Sequence, residues 1–209
     1  DATESSSIEL TVETMTKVQT TSENAGEYLE MTFPIALVDG QLNIEFGGNA
    51  PKLNQLIITK LDERSAGATP TVWVTGDSTV QSYTSGFAPQ AGWGQMIDRF
   101  LDDGVTVDNH AIGGRSSKNF ISQGRLDEVL RQIKPGDYLF VQFGHNDNSR
   151  GVDDRWAAPA DYANYLRTFV DGARQRGAVP IVVTPVSRRD FWNILYKLAE
   201  EGMTIFVST

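Results

Sequence analysis

Three short stretches hold the residue types that chemistry needs. Gly76-Asp77-Ser78-Thr79 places a hydroxyl beside a glycine. Asn109-His110-Ala111-Ile112-Gly113-Gly114-Arg115-Ser116 contains a glycine pair whose backbone N–H groups are open to approach. Gly144-His145-Asn146-Asp147 adds a side-chain amide. A serine hydroxyl can attack a carbonyl carbon, and N–H donors with an amide can hold the oxyanion that forms. The set suits acyl transfer, in which losing one such donor costs about 10²–10³ in rate.

Each residue also has a plainer use. A serine after a strand commonly caps a helix, so Ser78 suits that role too. Asp77 suits an Asx turn, Gly113 and Gly114 suit ordinary turns, and Asn146 suits a loop cap. Beyond the catalytic candidates Ser78, Gly114 and Asn146, the expected substrate contacts are Asp77, Trp93 and Arg115. Trp93 can equally pack against the first helix. His145 reads as a structural histidine, His110 as a loop residue and Trp73 as core. Arg150 and Arg155 suit either solvated surface or contact with an acidic sugar, with Trp156 beside them as a sugar platform.

The elements that position these loops begin at Thr71. Val72-Trp73-Val74, Val105-Thr106-Val107, 138–143, 179–184 and 204–207 read as strands. Apolar periodicity predicts helices over 92–102, 121–133, 160–176 and 189–201. Alternating strands and helices imply a parallel sheet with right-handed crossovers, hence an α/β domain. In such sheets ligands bind beyond the carboxyl ends of the strands, and all three loops lie there.

Residues 1–61 read as β structure. Ile8, Leu10 and Val12 alternate with polar residues, as do Leu29, Met31 and Phe33. The runs 35–38 and 42–46 flank Asp39-Gly40, a hairpin signal, and 56–58 suggests a further strand. Tyr28, Phe33 and Phe46 read as core. A partial β-sandwich is expected over 1–68, ending in a linker over 62–70, with the α/β domain over 69–209.

Composition sets the outer limits. The 209 residues are 40% hydrophobic and 22% charged, an ordinary globular balance. No run is long and apolar enough for a transmembrane helix. There is no cysteine, which excludes cysteine-ligated metals, and a multi-histidine site would need both His110 and His145; the acyl-transfer reading implies no cofactor or metal. The net charge is −9. Residues 1–68 carry 11 acidic and 4 basic side chains, giving −7, which leaves −2 for residues 69–209. An acidic surface disfavours nucleic acid and anionic membranes as partners. The polar residues 1–7 are not a signal peptide, although one removed earlier is compatible with them.

Gly76-Asp77-Ser78-Thr79, Gly114 and Gly144-His145-Asn146-Asp147 resemble the first three blocks of the SGNH (GDSL-like) hydrolases. Gly92-Trp93-Gly94, Gly113-Gly114-Arg115-Ser116-Ser117, Gly124-Arg125 and Thr184-Pro185-Val186 resemble the rhamnogalacturonan acetylesterase branch. The resemblance implies a flavodoxin-like three-layer fold. It also implies deacetylation of plant cell-wall polysaccharide such as rhamnogalacturonan, pectin or xylan. Ser78 is then the nucleophile, with the Ser78 and Gly114 amides and Asn146 as oxyanion hole. The substrate would be an acetylated polysaccharide or a small acetyl ester, and the location extracellular or periplasmic. A lipid esterase or thioesterase, or a catalytically impaired carbohydrate-binding protein, fits the same blocks. The N-terminal segment resembles the closing part of a galactose-binding-like sandwich.

The sequence departs from the family at its end. The Asp-x-x-His block that supplies the family's general base does not occur in these residues. Residues 188–209 instead resemble the helix and strand after the Walker B region of ABC transporter ATPases, without any phosphate-binding Gly-x-x-x-x-Gly-Lys-Ser/Thr. A fusion or fragment joined near residues 186–188 is the expectation, and with it weak esterase activity.

Overall fold

The structure, a computed structural model, describes residues 7–13, 15–19, 29–185 and 197–206. The chain divides into two compact units, Asp1–Asp62 and Glu63–Thr209.

In the first unit, β1 (Glu9–Val12), β2 (Met15–Gln19) and β3 (Ile44–Gly47) form an antiparallel sheet in the order β2-β1-β3. The alternation ending at Val12 does make a strand, and Val12 pairs with Ile44. The expected hairpin is different. Gly40 has φ 77° and the Asp39 carboxylate accepts from the Gln41 N–H at 2.9 Å, so the turn chemistry is present. Residues 35–38 nevertheless form no strand, and β3 pairs with β1. Clamps outside the hairpin decide this. Glu13 takes the Asn43 N–H at 2.7 Å, and Ser7 takes the Asn49 N–H at 2.8 Å. Residues 29–33 and 56–58 also lie outside any strand, and Leu29, Met31, Leu56, Ile57 and Ile58 are exposed. Phe46 is exposed rather than core, and Phe33 is half-buried. Tyr28 lies outside the described residues. Among the described residues there is one sheet here, not the two of a sandwich.

The second unit is the α/β domain. Its strands are β4 (Thr71–Gly76), β5 (Thr106–Asn109), β6 (Tyr138–Gln142), β7 (Val179–Val183) and β8 (Ile205–Phe206). They run parallel in the order β5-β4-β6-β7-β8, which is the flavodoxin-like order 2-1-3-4-5 counted within the unit. Val74, Leu139 and Val141 are fully buried in the sheet. The helices are α1 (Ser117–Ser122), α2 (Arg125–Leu130) and α3 (Pro159–Arg174). α3 buries Tyr162, Leu166, Phe169 and Val170, spaced as one helical face requires. Phe120, Phe143 and Phe169 meet with ring centroids 5.2–5.9 Å apart, inside the range of favourable aromatic pairs.

Two expected helices differ. The helix over 121–133 is two helices, because Gly124 takes φ 73° and breaks the run. The helix over 92–102 is a pair of 3-10 segments, Trp93–Gln95 and Ile97–Phe100, and Phe100 is 83% exposed. Backbone crowding accounts for the glycines here. A Cβ on Gly92 would lie 2.4 Å from the Gln81 carbonyl oxygen, and one on Gly94 would lie 2.5 Å from that of Val80. Of the helix over 189–201, residues 197–200 are described and helical, with Leu198 buried. Val186, Arg188 and Val207 lie outside the described residues.

Asp137 fixes the amino end of the sheet. It accepts from the Thr71 N–H at 2.8 Å, the Trp73 indole at 3.0 Å and the Lys134 N–H at 2.9 Å. The segment expected as linker is anchored from Arg64 onward. Arg64 Nε and Nη2 donate to the carbonyls of Ile133 and Leu130 at 2.9 and 2.8 Å, and Nη1 donates to that of Arg131. Carbonyls left over at a helix C-terminus favour such a cation. Among the described residues no helix is long and apolar enough to cross a membrane.

Candidate active site

Ser78, Gly114 and Asn146 follow β4, β5 and β6, three neighbouring strands, at their carboxyl ends. The first loop turns tightly. Val80 and Gln81 donate their N–H groups to the Asp77 carbonyl at 3.1 and 3.0 Å. A Cβ on Gly76 would lie 2.6 Å from Val80 Cγ2 and 2.9 Å from the Gln142 carbonyl, so glycine is required there. Asp77 is 1% exposed, and its carboxylate accepts from the Thr79 N–H and hydroxyl at 2.9 and 2.8 Å. It builds an Asx turn. The expectation that Asp77 touches substrate is therefore corrected: its acceptors face inward. Ser78 itself is half-buried, and its carbonyl is held by the Tyr83 hydroxyl at 2.7 Å.

The second loop lies against the first. A Cβ on Gly113 would stand 3.5 Å from Ser78 Cβ. The Gly113 N–H is occupied by the Gln81 side-chain carbonyl. Gly114 takes φ 76°, the left-handed region that glycine enters without strain. Among the described residues, neither the Gly114 N–H nor the Ser78 N–H has a hydrogen-bond acceptor. Ser116 then caps α1 in a capping box with Asn119.

Asn146 is buried in the third loop and donates through Nδ2 to the Arg115 carbonyl at 2.9 Å. The next residue reciprocates. Asp147 accepts from the Ser117 N–H at 2.9 Å and from its hydroxyl. The other Asp147 oxygen is buried without a partner. Burial pushes the Asp147 carboxyl up to about 6, against hydrogen bonds from Ser117 that pull it down. Tyr162 stands behind, donating to the Phe143 carbonyl at 2.9 Å. Burial first, then the charges of Asp147 and Asp77, raise its phenol well above the usual range.

Trp93 is half-buried and packs. Its indole donates to Gln142 at 2.8 Å, and its ring sits 6.0 Å from that of Phe140 against the sheet core. This is the packing alternative expected of it. Gln142 passes the contact on to the Thr79 hydroxyl at 2.7 Å. Arg115 is half-buried, with Nη1 on the Gly113 carbonyl at 3.0 Å. Burial, then the nearby charges of Arg125 and Arg155, lower its pKa. Neither histidine hydrogen-bonds Ser78. His110 lies 5.5 Å from the Trp73 ring, with Nε2 3.2 Å from Asp108 but poorly aligned for a hydrogen bond. His145 is exposed. The described residues contain no cluster of three or more metal-ligating side chains.

Residues 74–201 match the GDSL-like lipase/acylhydrolase family. The chain belongs to that family. The match takes in residues 188–201 of the segment that resembles ABC transporter ATPases and leaves residues 202–209 outside it. The chain is 46% identical over 123 residues to "Probable rhamnogalacturonan acetylesterase YesY" of Bacillus subtilis, covering 58% of this chain and 56% of that protein. It is 44% identical over 121 residues to "Rhamnogalacturonan acetylesterase RhgT" of the same organism, covering 57% and 50%. The crystal structure of Bacillus subtilis YxiM aligns at 28% identity with TM-score 0.58, covering 97% of this chain and 61% of YxiM. This chain thus spans about half the length of the curated relatives.

Sequence reasoning missed the Ser117–Asp147 and Asn146–Arg115 ties, the roles of Gln81 and Gln142, and Asp137. These are long-range side-chain contacts with no local signature. The adjacency of Ser117 to the glycine pair was the available hint.

Proposed function

We propose that the chain is the core of a serine carbohydrate esterase that removes acetyl groups from plant cell-wall polysaccharide, rhamnogalacturonan foremost. The supporting observation is the meeting of three strand-end loops. Ser78 lies beside Gly113, close enough that a Cβ there would meet its own Cβ, Arg115 next to the glycine pair is tied to Asn146, and the Ser78 and Gly114 amides have no described acceptor. In this reading Ser78 Oγ bonds to the acetyl carbon. The carbonyl oxygen becomes an oxyanion received by the Ser78 N–H, the Gly114 N–H and the Asn146 amide. Collapse expels the sugar oxygen as a hydroxyl, and water then releases acetate. A polymeric substrate favours a site of action outside the cell, in the medium or periplasm, as part of this proposal.

The proton from Ser78 needs a base. Among the described contacts neither histidine reaches it, so the 209-residue polypeptide is expected to work slowly. Oxyanion stabilisation and binding alone sustain about 10³–10⁴-fold catalysis over water.

The test is acetate release from acetylated rhamnogalacturonan and from p-nitrophenyl acetate. Slow hydrolysis of the activated ester is expected, little changed by Ser78→Ala, because a triad already lacking a member loses little more. Asn146→Ala should lower it by about 10²-fold. Hydrolysis no faster than buffer would overturn the reading. Fast turnover abolished by Ser78→Ala would replace the slow-rate expectation with a base drawn from His145 or a carboxylate.

A further inference from the structure

Gln142 is the last residue of β6 and pairs with Gly76 of β4, the residue that opens the Ser78 loop. It is buried, and it takes no part in the chemistry proposed above, yet both ends of its amide are engaged. Trp93 Nε1 donates to Gln142 Oε1 at 2.8 Å, and Gln142 Nε2 donates to the Thr79 hydroxyl oxygen at 2.7 Å. The Thr79 hydroxyl and N–H in turn donate to Asp77 Oδ1 at 2.8 and 2.9 Å.

This chain of bonds can run in one direction only. An indole N–H donates and never accepts, so the Gln142 oxygen must face Trp93 and its NH2 must face Thr79. The Thr79 hydroxyl oxygen receives that N–H, and its own proton is left for Asp77. A glutamine met by a donor at one end thus decides where a hydroxyl proton points at the other. That proton helps close a small ring, because Asp77 Oδ1 takes both the O–H and the N–H of Thr79. Ser78 is the residue the ring encloses. Trp93 grips Thr79 a second time, through its backbone N–H on the Thr79 carbonyl at 3.0 Å.

We infer that Gln142 is a positioning residue, which orients the Thr79 hydroxyl onto Asp77 and so holds the Ser78 N–H where the oxyanion forms. The inference rests on the proposed function and adds to it a group that touches neither substrate nor Ser78. The loop that carries Asn146 also leaves β6. One strand end therefore sets two oxyanion donors, the Ser78 amide through Gln142 and the Asn146 amide directly. The donor that Gln142 governs is a backbone amide, so the effect shows even where Ser78 Oγ lacks a base.

The test is p-nitrophenyl acetate hydrolysis by the 209-residue chain, with 1H–15N spectra of the same samples. Gln142→Glu keeps the shape. Ionised, the new carboxyl has no proton to give and draws the Thr79 hydroxyl away from Asp77; protonated, its O–H replaces the lost donor. At about pH 8 its kcat should be about tenfold below that of the unsubstituted chain, the worth of one hydrogen bond, with KM within about twofold. At about pH 5 the deficit should shrink, because burial favours the protonated carboxyl. Comparing the two chains at each pH cancels the titration of Asp77, Asp147 and Tyr162, which they share. Thr79→Val should show the deficit at both pH values, and Thr79→Ser, which keeps the hydroxyl, should recover most of it. That pair decides the matter if Gln142→Glu does not fold. The Ser78 and Thr79 amide resonances of Gln142→Glu should be displaced at the higher pH and return at the lower. A deficit independent of pH, Thr79→Ser no better than Thr79→Val, or undisplaced Ser78 and Thr79 resonances in folded Gln142→Glu would overturn the role. If the unsubstituted chain hydrolyses no ester, the proposed function fails by itself, and the spectra still decide whether Gln142 directs Thr79 and Ser78.

Discussion

Residues Asp1–Asp62 and Glu63–Thr209 are comparably patterned in apolar residues, yet they bury them unequally. In the first unit Val12, 4% exposed, is the buried hydrophobic among the described residues, while Ile57 is 74% exposed. In the second, strands and helices enclose a continuous core including Phe120, Phe143, Leu139, Leu166 and Phe169. The difference lies in connection. A parallel strand needs a crossover, and the crossover helix covers the sheet face it spans. A three-stranded antiparallel sheet has no such built-in cover. Alternation in sequence therefore became burial where a helix was obliged to follow, and remained surface where none was.

Truncation gives the sharpest way to break that comparison. Phe169→Ala should cost about 3–5 kcal/mol, the usual range for a core aromatic. Ile57→Ala should stay within about 0.5 kcal/mol. Chemical denaturation of the two variants checks this, and similar losses would mean that the first unit has a core of its own.

The next effect concerns pH. Folding raises the Asp147 carboxyl from its ordinary 3.8 to about 6. Between those values the folded state keeps a proton that the unfolded state releases, so stability falls as pH rises from about 4 to 6 and levels off above. The change is of the order of 3 kcal/mol. Asp147→Asn keeps an oxygen for Ser117 and should flatten this part of the stability–pH curve. An unchanged curve would remove Asp147 as its source.

The smallest effect sharpens the boundary. Arg64 is fixed to the backbone at Leu130 and Ile133. Arg64→Ala should cost about 1–2 kcal/mol. Limited proteolysis of the unsubstituted chain should cut first within the exposed, strandless residues 53–62 rather than at 65–69. First cuts after Arg64 would restore a later boundary.

How much of this was legible in the sequence varied by the range of the signal. The five parallel strands followed from alternation with helices, and the strand-end loops followed from them, whereas the flavodoxin-like fold was implied by the family resemblance. Local turn chemistry at Asp39-Gly40 was also legible, but not its consequence, because Glu13 and Ser7 assign the partner strand from 30 and 42 residues away. The break at Gly124 was visible as a glycine and outweighed by the apolar run around it. In the candidate site, a hydroxyl at Ser78, a glycine pair and an amide at Asn146 were legible by residue type and loop position, and the family resemblance singled out Gly114. Asp77 and Trp93 were given outward roles because a motif shows which residues cluster, not which way they face. Arg155 was visible only as an isolated arginine until folding set it beside Gly114.

The two ties between the second and third loops have a kinematic consequence. Asn146 reaches across to residue 115, and Ser117 reaches back to residue 147. One tether would let the loops swivel about it. Two tethers, crossing in opposite directions at neighbouring positions, remove that swivel and make the loops a single block. Parting them means breaking both ties together, one of them to a buried carboxyl. Give in the mouth of the site must then come from elsewhere.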